Sequence, residues 1–405
     1  MEKLAASIQS YTWGSQTALP ELCGEATPSK TPVAEYWYGA HPSNPSLLES
    51  GIRLDTAIST EPTRLLGSEH VSRFGEQLPY LVKLLAADRP LSLQAHPSLE
   101  QAISGFSQEN TAGVPINAKH RNYRDENHKP ELVVALKPFE ALAGFRPAAV
   151  TVELLDDLAV PGLKSYRDLL ASLPESDGLR AVFTAMVTMS DELLATLVPE
   201  VAQYCRAYLV KNGAGQRWSK VAATVVQLEQ LHPGDSGVLA VLLLNRLSLA
   251  PGEAIYLDAG NLHSYLSGLG VEIMANSDNV LRGGLTDKHV DVAELLRVLK
   301  YEPLENPVVR PEPANGAGFA MYPTPAREFR LSRLRPGANP TRFNGRGPRI
   351  LVCTSGEAVC ASDSGHKFRL KPGEGAWLSA EDGPVLISAS SDRTELFMSD
   401  TNQFQ

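Results

Sequence analysis

Pro251-Gly252-Glu253-Ala254-Ile255-Tyr256-Leu257-Asp258-Ala259-Gly260-Asn261-Leu262-His263 reads as a Pro-Gly-Glu turn, an apolar strand, and a second turn at Gly260 that delivers a histidine. Two other short stretches carry metal-ligand residue types. In Leu91-Ser92-Leu93-Gln94-Ala95-His96-Pro97, side chains alternate faces, so Ser92, Gln94 and His96 point one way. Glu131 opens the apolar run Glu131-Leu132-Val133-Val134-Ala135-Leu136. One β-barrel wall could gather Gln94, His96, Glu131 and His263, and two nitrogen with two oxygen donors suit a borderline divalent ion, zinc above all. The Pro-Gly-Glu turn recurs: residues 249–257 resemble residues 370–378, Leu370-Lys371-Pro372-Gly373-Glu374-Gly375-Ala376-Trp377-Leu378. At constant offset His263 falls on Pro384, so two related β-barrels are expected, with a metal only in the first.

The chain has 405 residues, too many for one ordinary core, so two or three domains are expected. Hydrophobic residues at 43% and charged residues at 20% are those of a folded, soluble protein. A net charge of −9 argues against nucleic-acid binding, which needs a basic surface. The first residues show no apolar signal core, and no stretch reaches the ~18 apolar residues of a membrane span, so no membrane partner and a cytoplasmic location are expected. Cys23, Cys205, Cys353 and Cys360 are scattered without CxxC spacing and read as reduced thiols.

Periodicity divides the chain. Up to about Pro147 it reads as short strands, among them residues 78–85. From about Ala149 to Leu231 apolar residues fall at helical spacing, as in residues 152–158, 179–183 and 221–228, and Ser190-Asp191-Glu192 looks like a helix start. Strands return at Leu247, a helix is expected at residues 292–299, and residues 305–318 read as a linker. The fold class predicted is mainly β with an α-helical insert. Residues 1–148 and 236–304 would form a discontinuous β domain that holds the metal, 149–235 the insert, and 305–405 a linker and a C-terminal β domain without the metal.

Two further stretches carry chemistry. Gly270-Val271-Glu272-Ile273-Met274-Ala275-Asn276-Ser277-Asp278-Asn279-Val280-Leu281-Arg282-Gly283-Gly284-Leu285-Thr286-Asp287-Lys288 is polar at its centre, unusual for a plain connector. Arg282 offers a rigid, permanently charged fork for a phosphate or a developing oxyanion; the bland alternative is that it merely pairs with Asp278. In Tyr123-Arg124-Asp125-Glu126-Asn127-His128-Lys129-Pro130-Glu131, Lys129 shares a face with Glu131, where a neighbouring cation would push it toward its neutral form.

The spacing from Gly252 through Asp258-Ala259-Gly260 to His263 resembles the second cupin motif, with Asp258 where that motif usually has Pro; cupins are jelly-roll, or double-stranded β-helix, barrels that hold a metal inside. More specifically, Gln94-Ala95-His96-Pro97, His128-Lys129-Pro130-Glu131, His263-Ser264-Tyr265-Leu266-Ser267-Gly268 and Ser277-Asp278-Asn279-Val280-Leu281-Arg282-Gly283-Gly284-Leu285-Thr286 resemble the signature segments of the type I mannose-6-phosphate isomerase (phosphomannose isomerase) family. Tyr11-Thr12-Trp13-Gly14-Ser15 and Glu35-Tyr36-Trp37-Tyr38-Gly39-Ala40-His41-Pro42 resemble its N-terminal segments, with Thr12 for a commoner Asp; Asp287 stands where the family often has Pro. The likeness runs from about Tyr11 to Val298 and loosely to the end.

The resemblance implies a zinc-dependent aldose–ketose isomerase converting mannose 6-phosphate to fructose 6-phosphate, with Gln94, His96, Glu131 and His263 as ligands of one zinc in a catalytic cupin domain, beside a helical insert and a further C-terminal barrel. The reaction would move a proton between C1 and C2 through an enediol. Arg282 would stabilise the negative charge, Lys129 or Glu272 would transfer the proton, Asp278 would serve ring opening or positioning, and Ser92 and Lys288 would contact phosphate. A monomer is expected, with a homodimer as the alternative. Two competing classes are a metal-binding cupin that senses a sugar phosphate and a cupin oxygenase. The first would not need Lys129, Glu272 or Arg282, and the second favours more histidines than two.

Overall fold

The computed structural model describes residues 1–314, 318–345, 347–363 and 365–401. Large antiparallel sheets dominate its centre, with helices between and around them. Helices hold 32% of the residues and strands 29%, so helices take a larger share than the strand-rich reading of the N-terminal part anticipated. The extra helices are Leu54–Thr60, Pro62–Leu66, Ser68–Phe74 and Leu99–Thr111. The last starts at a capping box, in which Ser98 Oγ accepts from the Gln101 backbone N–H and Gln101 returns the bond.

The strand His263–Ala275, 13 residues long, is the spine of the sheet that carries the candidate site. Its first part lies between Leu93–Ala95, with His263 opposite Gln94, and Phe139–Phe145, with His263 opposite Ala143. Its second part lies between Tyr80–Ala87, with Glu272 opposite Lys83, and Glu131–Ala135, with Met274 opposite Glu131. Leu281–Gly284 pairs on the far side of Leu93–Ala95, placing Arg282 opposite Gln94. The change of neighbours occurs where the register shifts between Tyr265 and Ser267. There Gly268 sits at φ +135°, and a Cβ would lie 2.8 Å from Phe139 Cα, so only glycine permits the crossing.

Alternation sets the two faces of this sheet. Val271 and Ile273 join Tyr80, Val82, Leu84, Leu132 and Val134 in one apolar cluster. Glu272 and Lys83, one position along each strand, therefore turn the other way. The same cluster includes Ile350, Trp377 and Phe397, and the first strand, Glu2–Ala5, pairs with Gly375–Leu378. The two ends of the chain are thus bound into a shared core.

The repeated Pro-Gly-Glu turns have matching hydrogen bonds. Gly252 N–H donates to Ala135 O at 2.8 Å and Gly373 N–H to Cys353 O at 2.9 Å; Ala135 N–H and Cys353 N–H return to Glu253 O and Glu374 O. Glu253 caps Ala250 N–H at 3.0 Å, and Glu374 caps Lys371 N–H at 2.9 Å. After the second turn the chain enters the apolar cluster of Leu378, Val385 and Ile387, with no ligand type at Pro384.

Between Phe139–Phe145 and Leu244–Leu249 the chain is helical, from Ala148–Leu158 to Ser236–Ala240. Ser190 caps Asp191–Asn212, as its position predicts. Leu154, Val182, Phe183, Met186 and Val198 are fully buried in this block, each contributing about 1.5–3 kcal/mol of burial. The 292–299 expectation is met by the helix Val292–Val298. Within the stretch read as a linker, Val308–Val309 pairs with Ala254–Ile255, and residues 315–317 lie outside the described residues. Among the described residues no single helix is long and apolar enough to cross a membrane, and all four cysteines are free.

Candidate metal centre

His96 follows the strand Leu93–Ala95 directly, Glu131 begins its own strand, and His263 begins the spine. Strand pairing converges all three. His96 Nε2 lies 3.4 Å from Glu131 Oε1, and His263 Nε2 lies 3.3 Å from Glu131 Oε2. One ligand atom from each can be chosen so that all lie within 4.8 Å of one another, and all three residues are buried.

Each imidazole is oriented by a main-chain carbonyl. His96 Nδ1 donates to Asn279 O at 2.7 Å and His263 Nδ1 to Asn261 O at 2.9 Å. A carbonyl only accepts, so the proton sits on Nδ1 and Nε2 keeps its lone pair toward the cluster. His96 Nε2 is buried without a hydrogen-bond partner. Burial holds the His96 imidazole below its usual pKa, toward the neutral ligand form. Burial alone would raise the Glu131 carboxyl, but the neighbouring Lys129 ammonium outweighs it and holds the group well below the carboxylate range. Two imidazoles presenting Nε2, that of His96 without a hydrogen-bond partner, and one carboxylate fit a divalent cation of zinc's preferences. Gln94 lines the same cavity, opposite His263 in the sheet, and its amide nitrogen is 3.4 Å from Ser92 Oγ.

The cluster opens into a cavity of about 350 Å³. Gln94, Lys129, Glu131, His263, Glu272, Asp278, Arg282 and Lys288 all line it, while His96 lies buried behind. A neighbouring cavity of about 650 Å³ shares Arg282 and Lys288 and is lined by Ser92. Lys129 Nζ is 3.1 Å from Glu131 Oε1. Asp278 does not pair with Arg282; its partner is His41 Nε2, at 3.6 Å. Among the described residues Arg124, Arg282 and Lys288 form no ion pair. Burial, with Arg124 adding repulsion, lowers the Arg282 guanidinium; burial, Arg282 and Arg124 lower the Lys288 ammonium. Cations that repel one another around a shared cavity make a place for an anion.

The structure adds groups that the sequence reading passed over. Lys83 is 6% exposed, and its Nζ lies 2.9 Å from Glu272 Oε2 and 3.4 Å from Glu35 Oε1. Tyr265 O–H donates to Glu272 Oε1 at 2.8 Å, and Trp37 Nε1–H to Glu35 Oε2 at 2.8 Å. Burial pulls the Lys83 ammonium down, but Glu272, Glu35 and Glu131 together outweigh it and raise its pKa. The available signal was a lone lysine in the middle of the apolar run 78–85. Tyr11, Trp13 and Trp37 give the cavity an aromatic wall, with Tyr11 and Trp13 stacked at 5.6 Å.

A buried His/His/carboxylate cluster opening onto unpaired cations defines a metal-binding protein with a site for an anionic ligand. Residues 1–148 match the family model for the type I phosphomannose isomerase catalytic domain. The chain is 39% identical over 399 residues to mannose-6-phosphate isomerase of Salmonella typhimurium, covering 96% of this chain and 97% of that one. It is 30% identical over 416 residues to mannose-6-phosphate isomerase of Schizosaccharomyces pombe, covering 97% of each. The solved structure of the Salmonella typhimurium enzyme bound to fructose 6-phosphate and zinc superposes with a TM-score of 0.88 at 38% identity, covering 99% of each chain. The chain belongs to the type I phosphomannose isomerase family.

Proposed function

We propose that this chain is a zinc-dependent isomerase interconverting mannose 6-phosphate and fructose 6-phosphate. The observation that carries the reading is the continuity of one cavity from the His96–Glu131–His263 cluster to Arg124, Arg282 and Lys288. His96, Glu131, His263 and the Gln94 amide oxygen would hold the metal. When bound, zinc supplies Lewis acidity toward the sugar's C1 and C2 oxygens.

The chain's own residues do the remainder. Arg282 stabilises the negative charge that develops at the enediol oxygens. Proton transfer between C1 and C2 falls to Lys129 or Glu272. Lys129 reaches the cavity beside Glu131; Glu272 receives hydrogen bonds on both oxygens, from Tyr265 and Lys83, which fix its direction. Asp278, half-exposed at the rim, serves ring opening or positioning. Lys288 and Ser92, joined by Arg124, hold the phosphate.

The wider arrangement is part of the same reading. Residues 1–148 and 236–304 form a catalytic cupin jelly roll, 149–235 a helical insert, and 305–405 a linker and a second, metal-free cupin-like domain. Support comes from the matching Pro-Gly-Glu turns and the continuous helical block. A cytoplasmic monomer, with a homodimer as the alternative and neither nucleic acid nor membrane as partner, accords with the acidic charge of −9. The test is conversion of mannose 6-phosphate by purified protein before and after chelation and zinc return. Activity that disappears and returns with zinc supports the reading; a zinc-loaded chain that converts none overturns it.

A further inference from the structure

Asn279 lies in the signature segment but has no role in the chemistry above. It is 0% exposed, and every polar atom of its side chain is used. Its Oδ1 accepts from the backbone N–H of Arg124 at 2.6 Å and of Asp125 at 3.2 Å. Its Nδ2 donates to Asp125 O at 2.8 Å, Asn127 O at 2.9 Å and Asp125 Oδ1 at 3.3 Å. All these partners belong to residues 124–127, far away in sequence. Its neighbours grip the same loop: Ser277 O–H donates to Asp125 Oδ1 at 2.8 Å, and Asp278 N–H to Asp125 Oδ2 at 2.7 Å. On its main-chain side, Asn279 O is the acceptor that orients His96 at 2.7 Å.

We propose that Asn279 is a positioning residue joining two halves of the active site: its carbonyl sets the tautomer and direction of the ligand His96, and its side-chain amide fixes the loop that brings Arg124 and Lys129 into the cavity. The inference rests on the isomerase reading for its catalytic consequence. Loop 124–127 has no regular secondary structure of its own, so its backbone groups need outside partners. A primary amide suits the place because it offers two donors and an acceptor at one point. A carboxylate would set an oxygen against Asp125 O, Asn127 O and the Asp125 carboxylate.

The two functions separate by mutation. Asn279→Ala keeps the carbonyl and removes the amide. Zinc content should stay at one per chain and zinc affinity within about threefold of the parent. kcat/KM per zinc-loaded chain should fall roughly 10–100-fold, as for other residues that orient catalytic groups. Both KM and kcat should move, because the loop carries Arg124 and leads to Lys129. Asn279→Asp should be at least as damaging. Amide hydrogen exchange, which needs no activity, should show lost protection in a peptide covering residues 123–129.

Unchanged kcat/KM in a folded, zinc-loaded Asn279→Ala would overturn the proposal. So would activity that falls only in step with zinc content, which marks a prop of the metal site alone. If Asn279→Ala does not fold, Ser277→Ala removes the hydroxyl that contacts Asp125 Oδ1 and Asn127 O in the same loop and should give a smaller loss in the same direction; no loss overturns the proposal. Should the parent fail to isomerise mannose 6-phosphate, the isomerase reading falls, while hydrogen exchange still decides whether Asn279 holds the loop.

Discussion

Lys83→Met removes the charge at the centre of the buried network and nearly preserves its volume. Lys83, Glu35 and Glu272 are 6%, 5% and 2% exposed, so the variant leaves two carboxylates desolvated and without their shared cation. Breaking a buried pair by removing one partner costs about 3–5 kcal/mol. Two orphaned carboxylates place this site toward the upper end. At roughly 2–4 °C per kcal/mol for a sizeable domain, the melting temperature should fall by about 8–20 °C. Differential scanning calorimetry and urea unfolding at pH 7 would measure it. Adding Glu35→Gln should recover part of the loss, because the two sites share one interaction.

The pH dependence has a definite sign. Lys83 has a raised pKa in the folded chain, so its contribution is complete below the unfolded value of about 10.5 and fades as pH climbs through the folded value. The gap between parent and variant should therefore be level from neutral pH to about pH 10 and narrow above it. A loss under about 1 kcal/mol at pH 7 would refute the reasoning, since it would class the network with exposed ion pairs.

Further outcomes follow from the site. His263→Ala should bind less than one zinc per chain and lose at least about 100-fold in activity, more than the loss of an orienting partner; full zinc occupancy by metal analysis would remove His263 from the ligand set. Arg282→Met should lower kcat by about 10²–10³ with zinc content unchanged, and Arg282→Lys should restore part by returning charge without the fork. Gly105→Ala would drive a methyl group into the Tyr123 ring beside the cavity loop, and overpacking of about 1–3 kcal/mol should exceed the gain in helix propensity; a stabilised variant in thermal unfolding would show that the ring can move freely.

Much of the site was legible because its residues sit at points of local constraint. Gln94 and His96 share a strand face by alternation, and the turn at Gly260 announces His263. Ser190 at its helix start and the two Pro-Gly-Glu turns were also readable, since each is decided by neighbours within a few positions. The helix Leu99–Thr111 carried its own cap in Ser98 and Gln101, yet the surrounding Gly, Pro and Asn favoured a reading in short strands. The competing Asp278–Arg282 pair failed for a reason outside the segment: His41 provides the partner for Asp278.

The sequence by itself determined residue chemistry, local periodicity, turns and caps, and with them a candidate donor set for a metal, while its motif segments carried the resemblance to the family. Only the tertiary structure decided which distant groups meet. Lys83 reaches Glu272 across 189 positions because two antiparallel strands pair in one register, and a slip of one residue would turn Lys83 into the apolar face. Asn279 reaches residues 124–127 because the spine returns beside the strand that Glu131 begins. Such meetings depend on sheet register and on the bend at Gly268, which arise from packing summed over the whole core rather than from any one stretch of chain.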